Sequence, residues 1–320
     1  MVMKKIGAFF RLVRWPNLLI IALMMCLVYH NLTGMHSMPG FTLLVISMVL
    51  IVAGGYVVND IFDKEIDEIN KPEKLIVGRI FTEKQCKIFY WSLTIIGLAC
   101  ALVSTLITFG KDFLTIFACM LLLACVLFSY SNRYKKKLVV GNVIVSLSVA
   151  FAVFLPWLFV MLYLMKNEFL AMNYEVVMHI SLRLVLIYSA FAFVITLMRE
   201  IVKDMEDVDG DGLSHCRTIP IIWGMKIAQI IVLLLSVLTI FGIFFAGNAL
   251  EREFGMKFVG KLLRWSSLPL VFPLTVGLII NLFGKQSGKT AFEYYFSPTF
   301  YSKALKISML IGVLSMIFVK

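Results

Sequence analysis

Residues 41–67 read FTLLVISMVLIVAGGYVVNDIFDKEID. The first eighteen of them, 41–58, carry no charge. As a helix they would extend about 27 Å, nearly the thickness of a bilayer's hydrocarbon core. The run ends directly in Asn59, Asp60, Asp63 and Asp67. Offsets of three and seven place the three carboxylates on one face of a continuing helix. Like charges on one face repel, and the C-terminal end of a helix disfavours anions. Nothing in helix stability recommends the pattern.

It also occurs twice. Residues 203–211 read K-D-M-E-D-V-D-G-D, so Asp204, Asp207 and Asp211 repeat the D-x-x-D-x-x-x-D spacing after another apolar run. Seven of the eight aspartates lie in the windows 60–67 and 204–211. Paired carboxylate clusters in a chain this poor in acids point to a hard-cation site. Carboxylate oxygens suit Mg²⁺ or Ca²⁺, and Mg²⁺ commonly takes one or two carboxylates together with substrate phosphates. Asn59 precedes the first cluster; Lys203, with Arg199 one turn earlier, precedes the second. These side chains either pair with the aspartates or hold a phosphate that the metals bridge. Asp209 and Gly210 are expected to interrupt helical phase between Asp207 and Asp211, leaving the second cluster partly in a loop.

The 320-residue chain is 61% hydrophobic and 15% charged, with a mean hydropathy of +0.93. A soluble domain carries about 25% charged and 45–50% apolar residues, so a soluble enzyme, a disordered tail and a secreted disulfide scaffold are all excluded. Apolar runs predict nine transmembrane helices, at roughly 17–31, 41–58, 88–109, 113–130, 139–165, 182–200, 227–247, 267–283 and 304–319. The fold class is an all-α membrane protein in two pseudo-repeated halves around a central cavity. It is a single polytopic domain over 1–320, with an N-terminal half of about 1–138 and a C-terminal part of about 139–320, each carrying one motif. Lys4, Lys5, Arg11 and Arg14 precede the first run without a small-residue cleavage site, which reads as a retained span.

Of the 30 Lys and Arg, 22 fall at the N-terminus and in the even-numbered loops with their flanks. The positive-inside rule makes the N-terminus and both aspartate motifs cytoplasmic in an inner or plasma membrane. The net charge of +11 then reads as topology plus an anionic substrate, with no nucleic-acid partner. Six cysteines form no C-x-x-C pair, and four histidines show no ligand spacing.

These residues resemble the UbiA superfamily of intramembrane prenyltransferases, in which N-D-x-x-D-x-x-x-D follows the second helix and a second D-x-x-D-x-x-x-D the sixth. Asn70-Lys71-Pro72 matches the first part of the family's N-x-P-x-R-P element. Lys74 and Leu75 replace its Arg and second Pro, so Lys74 keeps the charge without bidentate geometry. The wording of 199–211, followed by Arg217-Thr218-Ile219-Pro220, is similar to the branch that makes digeranylgeranylglyceryl phosphate. The resemblance implies Mg²⁺-dependent transfer of a prenyl group, geranylgeranyl for this branch, from a diphosphate to a lipid-like acceptor such as geranylgeranylglyceryl phosphate. Two Mg²⁺ ions would sit on Asp60, Asp63, Asp67, Asp204, Asp207 and Asp211. Asn59, Lys203, Arg199, Lys135 and Lys74 would bind diphosphate, with Lys135 the one lysine of the 135–137 run to reach it. Asn17, Tyr130 and Asn142 match pocket positions. Prenylation of a 4-hydroxybenzoate, naphthoate or homogentisate type of acceptor uses similar motifs. A cation-binding transporter is the alternative from another class. It would more often bury its carboxylates mid-span in broken helices, without flanking Lys and Arg.

Overall fold

The computed structural model describes residues 2–33, 38, 40–70, 72–111, 114–166, 168–253, 255, 257, 260–261, 264 and 298–318. They are helical almost throughout. The elements are α1 (Val2–Leu12), α2 (Trp15–Thr33), α3 (Phe41–Phe62), α4 (Lys64–Asn70), α5 (Glu83–Phe109), α6 (Thr115–Ser129), α7 (Val140–Lys166), α8 (Glu168–Glu206), α9 (Val208–Leu213), α10 (Ile219–Ile222), α11 (Met225–Glu253) and α12 (Pro298–Ser315). Among the described residues, seven stretches are long and apolar enough to cross a bilayer: α2, α3, α5, α6 with its C-terminal extension to Tyr134, α7, His179–Glu206 of α8, and Met225–Arg252 of α11. They meet the first seven predicted spans. The eighth, 267–283, lies outside the described residues, and the ninth, 304–319, overlaps α12, which is not one of the seven.

The outward side chains are those of a membrane protein. On α11, Ile227, Ile230, Leu234, Leu238, Phe241 and Phe245 form an exposed stripe at helical spacing, with Phe245 68% accessible. Water would not tolerate so long an apolar stripe, whereas lipid does.

The chain divides into two compact units, 1–135 with 152–182 and 136–151 with 183–320. In the first unit α3 packs most extensively on α5. Small residues on α5 allow the approach: Gly97, Ala101 and Thr105 lie four apart and are buried, as membrane helix pairs commonly require. A Cβ on Gly97 would stand 2.8 Å from Ile51 Cγ1 and 3.2 Å from Leu50 Cβ. Thr82 caps α5 in a reciprocal capping box with Gln85. Just before it, Leu75, Val77 and Phe81 turn inward. Val77 and Phe81 share a core with Ala8, Leu12 and Val13 of the N-terminal segment and Val57 and Val58 of α3. That core gathers the N-terminus and the loop after Asp67 at the C-terminal end of α3.

In the second unit Ile195, Met198, Ile201, Val202 and Met205 form the buried stripe of α8. They pack with Ile219 of α10, Ala228 and Val232 of α11, and Tyr301 and Leu305 of α12. The spacing of three and four is that of an amphipathic helix face. It fixes the rotation of α8 just where its acidic residues begin.

Replacing Gly97 with Leu is expected to separate α3 from α5, because overpacking costs about 1–3 kcal/mol. Thermal unfolding in detergent should show a lowered midpoint for Gly97→Leu and little change for Leu122→Ile on the 64% exposed position of α6.

Candidate functional site

In the first unit, α3 ends at Phe62 and α4 begins at Lys64, with Asp63 as the break (φ −88°, ψ 0°). Two i→i+4 bonds lead into and out of it. Asp63 N–H donates to Asn59 O at 2.9 Å, and Asp67 N–H donates to Asp63 O at 2.8 Å. The backbone therefore stays close to helical across the junction. Asn59 and Asp63 are buried, at 6% and 5% exposure, while Asp60 and Asp67 are half-buried.

Their partners come from near and far. Asn59 Nδ2 donates to Asp63 Oδ2 at 2.6 Å, and Lys135 Nζ donates to the same oxygen. Arg14 Nη2 donates to Asp60 Oδ1 at 2.9 Å. The Arg14 guanidinium also lies 4.7 Å from the Tyr56 ring centroid, a cation–π distance. Asn17 Nδ2 donates to the Tyr56 hydroxyl at 3.2 Å. Asn17 thus reaches the motif through Tyr56, as part of one polar chain. Tyr130 opens a π-helical turn, Tyr130–Tyr134, and Lys135 N–H donates to Tyr130 O at 2.9 Å across five residues. Such a turn inserts one extra residue and shifts helical phase, and it is common at functional sites. It turns Lys135 toward Asp63 while Arg133, Lys136 and Lys137 stay exposed. Lys74 closes a 3₁₀ turn, Pro72–Lys74; its side chain, like all of Lys71, lies outside the described residues.

The second unit repeats the device. α8 ends at Glu206, Asp207 is the break, and α9 follows. Asp207 N–H donates to Lys203 O and Asp211 N–H to Asp207 O, both at 3.0 Å. The expected interruption at Asp209 and Gly210 is corrected. Both residues are helical in α9, because the ladder continues through Asp207 and the single non-helical residue is the aspartate itself. Asn142 Nδ2 donates to Asp204 Oδ2 at 2.8 Å. Asn142, expected in a pocket, is here the amide partner of a motif carboxylate. Asp211 is 6% exposed. Arg199 Nη1 donates to Glu200 Oε1 at 2.9 Å. Glu206 Oε1 and Arg199 Nε are buried without a hydrogen-bond partner among the described residues.

Residues that the spacing did not single out are Arg14, Tyr56, Glu200 and Glu206. Tyr56 and Glu200 each precede their motif's first aspartate by one turn, so helical spacing alone could have nominated them. Arg14 carried no signal beyond its charge.

No three Asp, Glu, His or Cys side chains among the described residues are grouped closely enough to hold a metal unaided. The donor set nevertheless fits a hard divalent cation shared with a phosphate ligand. All donors are carboxylate or amide oxygens. In the first motif two oxygens already face cations, Arg14 and Lys135. In the second, an orphaned buried carboxylate oxygen and an orphaned guanidinium N–H supply one acceptor and one donor.

The profile of the UbiA prenyltransferase family matches residues 18–302. A digeranylgeranylglyceryl phosphate synthase of Methanoculleus marisnigri is 31% identical over 221 residues, which is 69% of this chain and 70% of that protein. A solved digeranylgeranylglyceryl phosphate synthase superposes with a TM-score of 0.58 over 98% of both chains at 22% identity. A UbiA homologue of Archaeoglobus fulgidus, bound to DMAPP and Mg²⁺, superposes with a TM-score of 0.56 at 16% identity, over 98% of this chain and 99% of its own. The chain belongs to the UbiA prenyltransferase family of integral membrane proteins.

Proposed function

We propose that this protein transfers a prenyl group, geranylgeranyl in the best-supported case, from its diphosphate to the free hydroxyl of a lipid acceptor of the geranylgeranylglyceryl phosphate type. The observation that carries the reading is the duplicated aspartate motif, each copy with an i→i+4 backbone bond into and out of its central aspartate. The curated relative at 31% identity supports the acceptor class by its name. The Mg²⁺ and DMAPP held by the Archaeoglobus fulgidus homologue support the cofactor and donor class.

Two Mg²⁺ ions, when bound by the two motifs, would neutralise the diphosphate as a leaving group. The chain's own contribution is then as follows. Asp60, Asp63 and Asp67 of the first motif and Asp204, Asp207 and Asp211 of the second would supply the oxygens that hold the metals. Lys203, Arg199 and Lys135 donate charge-assisted hydrogen bonds to diphosphate oxygens, with Lys74 a further cation of the loop after Asp67. Asn59 and Asn142 hold Asp63 and Asp204 in place, and Tyr130 sets the π turn that aims Lys135. The C1–O bond of the donor breaks with its electron pair leaving on the diphosphate. The acceptor hydroxyl oxygen forms the new bond to C1, and its proton passes to a motif carboxylate or to the released diphosphate. The apolar surroundings keep water from the allylic carbon. An aromatic acceptor would demand the same leaving-group machinery, but no observation favours it.

Both motifs are assigned to the cytoplasmic side, following the Lys and Arg asymmetry. Donor and acceptor then meet at that face of the membrane.

Purified protein supplied with Mg²⁺, geranylgeranyl diphosphate and geranylgeranylglyceryl phosphate is expected to release diphosphate and form the doubly prenylated lipid. Asp60→Ala and Asp204→Ala should each lower turnover about a hundredfold or more, the scale on which lost charge stabilisation is felt. Diphosphate release that withstands both changes would overturn the motif assignment. Product with 4-hydroxybenzoate and none with the lipid would move the protein to the aromatic branch.

Orientation is read out by single cysteines in a cysteine-free background of right-side-out vesicles. A membrane-impermeant maleimide is expected to label position 111 and to spare positions 73 and 213. Equal labelling of all three would contradict the orientation.

A further inference from the structure

Arg14 sits in a place that asks for a reason. It lies in the two-residue turn between α1 and α2 with φ +53°, a left-handed conformation that favours glycine or asparagine. Its neighbour Val13 is 5% exposed, and Leu12 and Ala8 are fully buried, so the turn is fixed in position by packing. The side chain that this strained turn projects lands on a motif aspartate. It donates to Asp60 Oδ1 at 2.9 Å and stacks on Tyr56, one helical turn before Asp60. Tyr56 is itself held by Asn17. Strain of this kind persists where the surroundings over-determine it and commonly marks a functional position.

We propose that Arg14 is a resident counter-ion of the first aspartate motif. It occupies Asp60 until a divalent metal arrives together with diphosphate, and then turns to the anion while remaining stacked on Tyr56. The proposal rests on the metal and diphosphate reading above. Its logic is charge balance. Asp60 already faces the Arg14 guanidinium, and buried Asp63 already faces the Lys135 ammonium. A divalent ion entering alone would have to displace Arg14 and then sit beside the two monovalent cations, Arg14 and Lys135. Diphosphate arriving with the metal gives both cations a new partner, so metal and anion bind cooperatively. Arg14 is a positioning residue in this scheme until it meets the anion. Its single contact to Asp60 is not bidentate, so lysine can replace it there.

The test uses Mn²⁺ as probe metal and inorganic pyrophosphate as probe anion, with the full-length protein in detergent and free Mn²⁺ measured by electron paramagnetic resonance. The wild type is expected to bind Mn²⁺ weakly alone and more tightly with pyrophosphate. Arg14→Gln should bind Mn²⁺ alone roughly fivefold more tightly, the scale of a partly exposed ion pair, and its enhancement by pyrophosphate should shrink by a similar factor. Arg14→Lys should restore the wild-type pattern. Tyr56→Leu, which removes the ring under the guanidinium, should shift affinity as Arg14→Gln does and serves where that variant folds poorly. Lys87→Gln, which removes a charge from the exposed Glu83 pair, should change nothing. Metal-alone affinity unchanged in both Arg14→Gln and Tyr56→Leu, while Asp60→Asn abolishes it, would overturn the counter-ion role only. Binding of Mn²⁺ that is indifferent to Asp60→Asn would overturn the metal reading and this proposal with it.

Discussion

A carboxylate buried at the end of an apolar helix must find compensating charge or hydrogen bonds, because an isolated buried ion is far too costly to keep. Asp63 is that carboxylate here, 5% exposed at the end of a 22-residue helix whose C-terminal dipole already disfavours it. Its own helix offers one remedy, the Asn59 amide a turn earlier. The rest must come from elsewhere in the chain. This requirement organises the first unit. Lys135 arrives through a π turn, Arg14 through a left-handed turn, and the loop after Asp67 is packed against the same core that fixes Arg14.

The second unit meets the same constraint by different means. Its ladder and its central break are the same, with Asp207 in the role of Asp63. Yet Asp204 receives a neutral amide from Asn142 where Asp60 and Asp63 receive a guanidinium and an ammonium. An amide satisfies a lone pair but leaves the charge uncompensated, whereas a cation offsets it. Equal spacing therefore does not mean equal electrostatics.

The spacing made the architecture legible because it survives the local irregularity. A reader of D-x-x-D-x-x-x-D assumes one helix; the structure has two helices and a break, and the backbone bonds carry the period across. Lys135 was nominated among four neighbouring cations, and it is the half-buried one that meets Asp63. The links that stayed hidden are tertiary. Nothing local to Arg14 says that α1 turns back so that residue 14 meets residue 60, since the turn depends on Ala8, Leu12 and Val13 finding a core with α3. Asn142 and Asp204 are 62 residues apart, and no periodicity relates them. The break in the second motif was expected at Asp209-Gly210 because glycine is a poor helix former. A glycine with a supported ladder on either side is tolerated, and there the tertiary context decided.

Asn59 shows how little freedom such a site leaves. Its backbone carbonyl accepts the Asp63 N–H that carries the helix across the break, and its side-chain amide donates to the Asp63 carboxylate. One residue thus fixes both the position of the carboxylate's backbone and the direction of its oxygens. An aspartate at 59 would keep the backbone bond but turn a donor into a second acceptor, placing two buried anions a turn apart against the one ammonium of Lys135. A leucine would keep the helix and leave Asp63 with that ammonium alone. Asparagine is the residue of that size that donates to a carboxylate without adding charge. That is the physical reason for a neutral amide at the head of a motif otherwise made of acids.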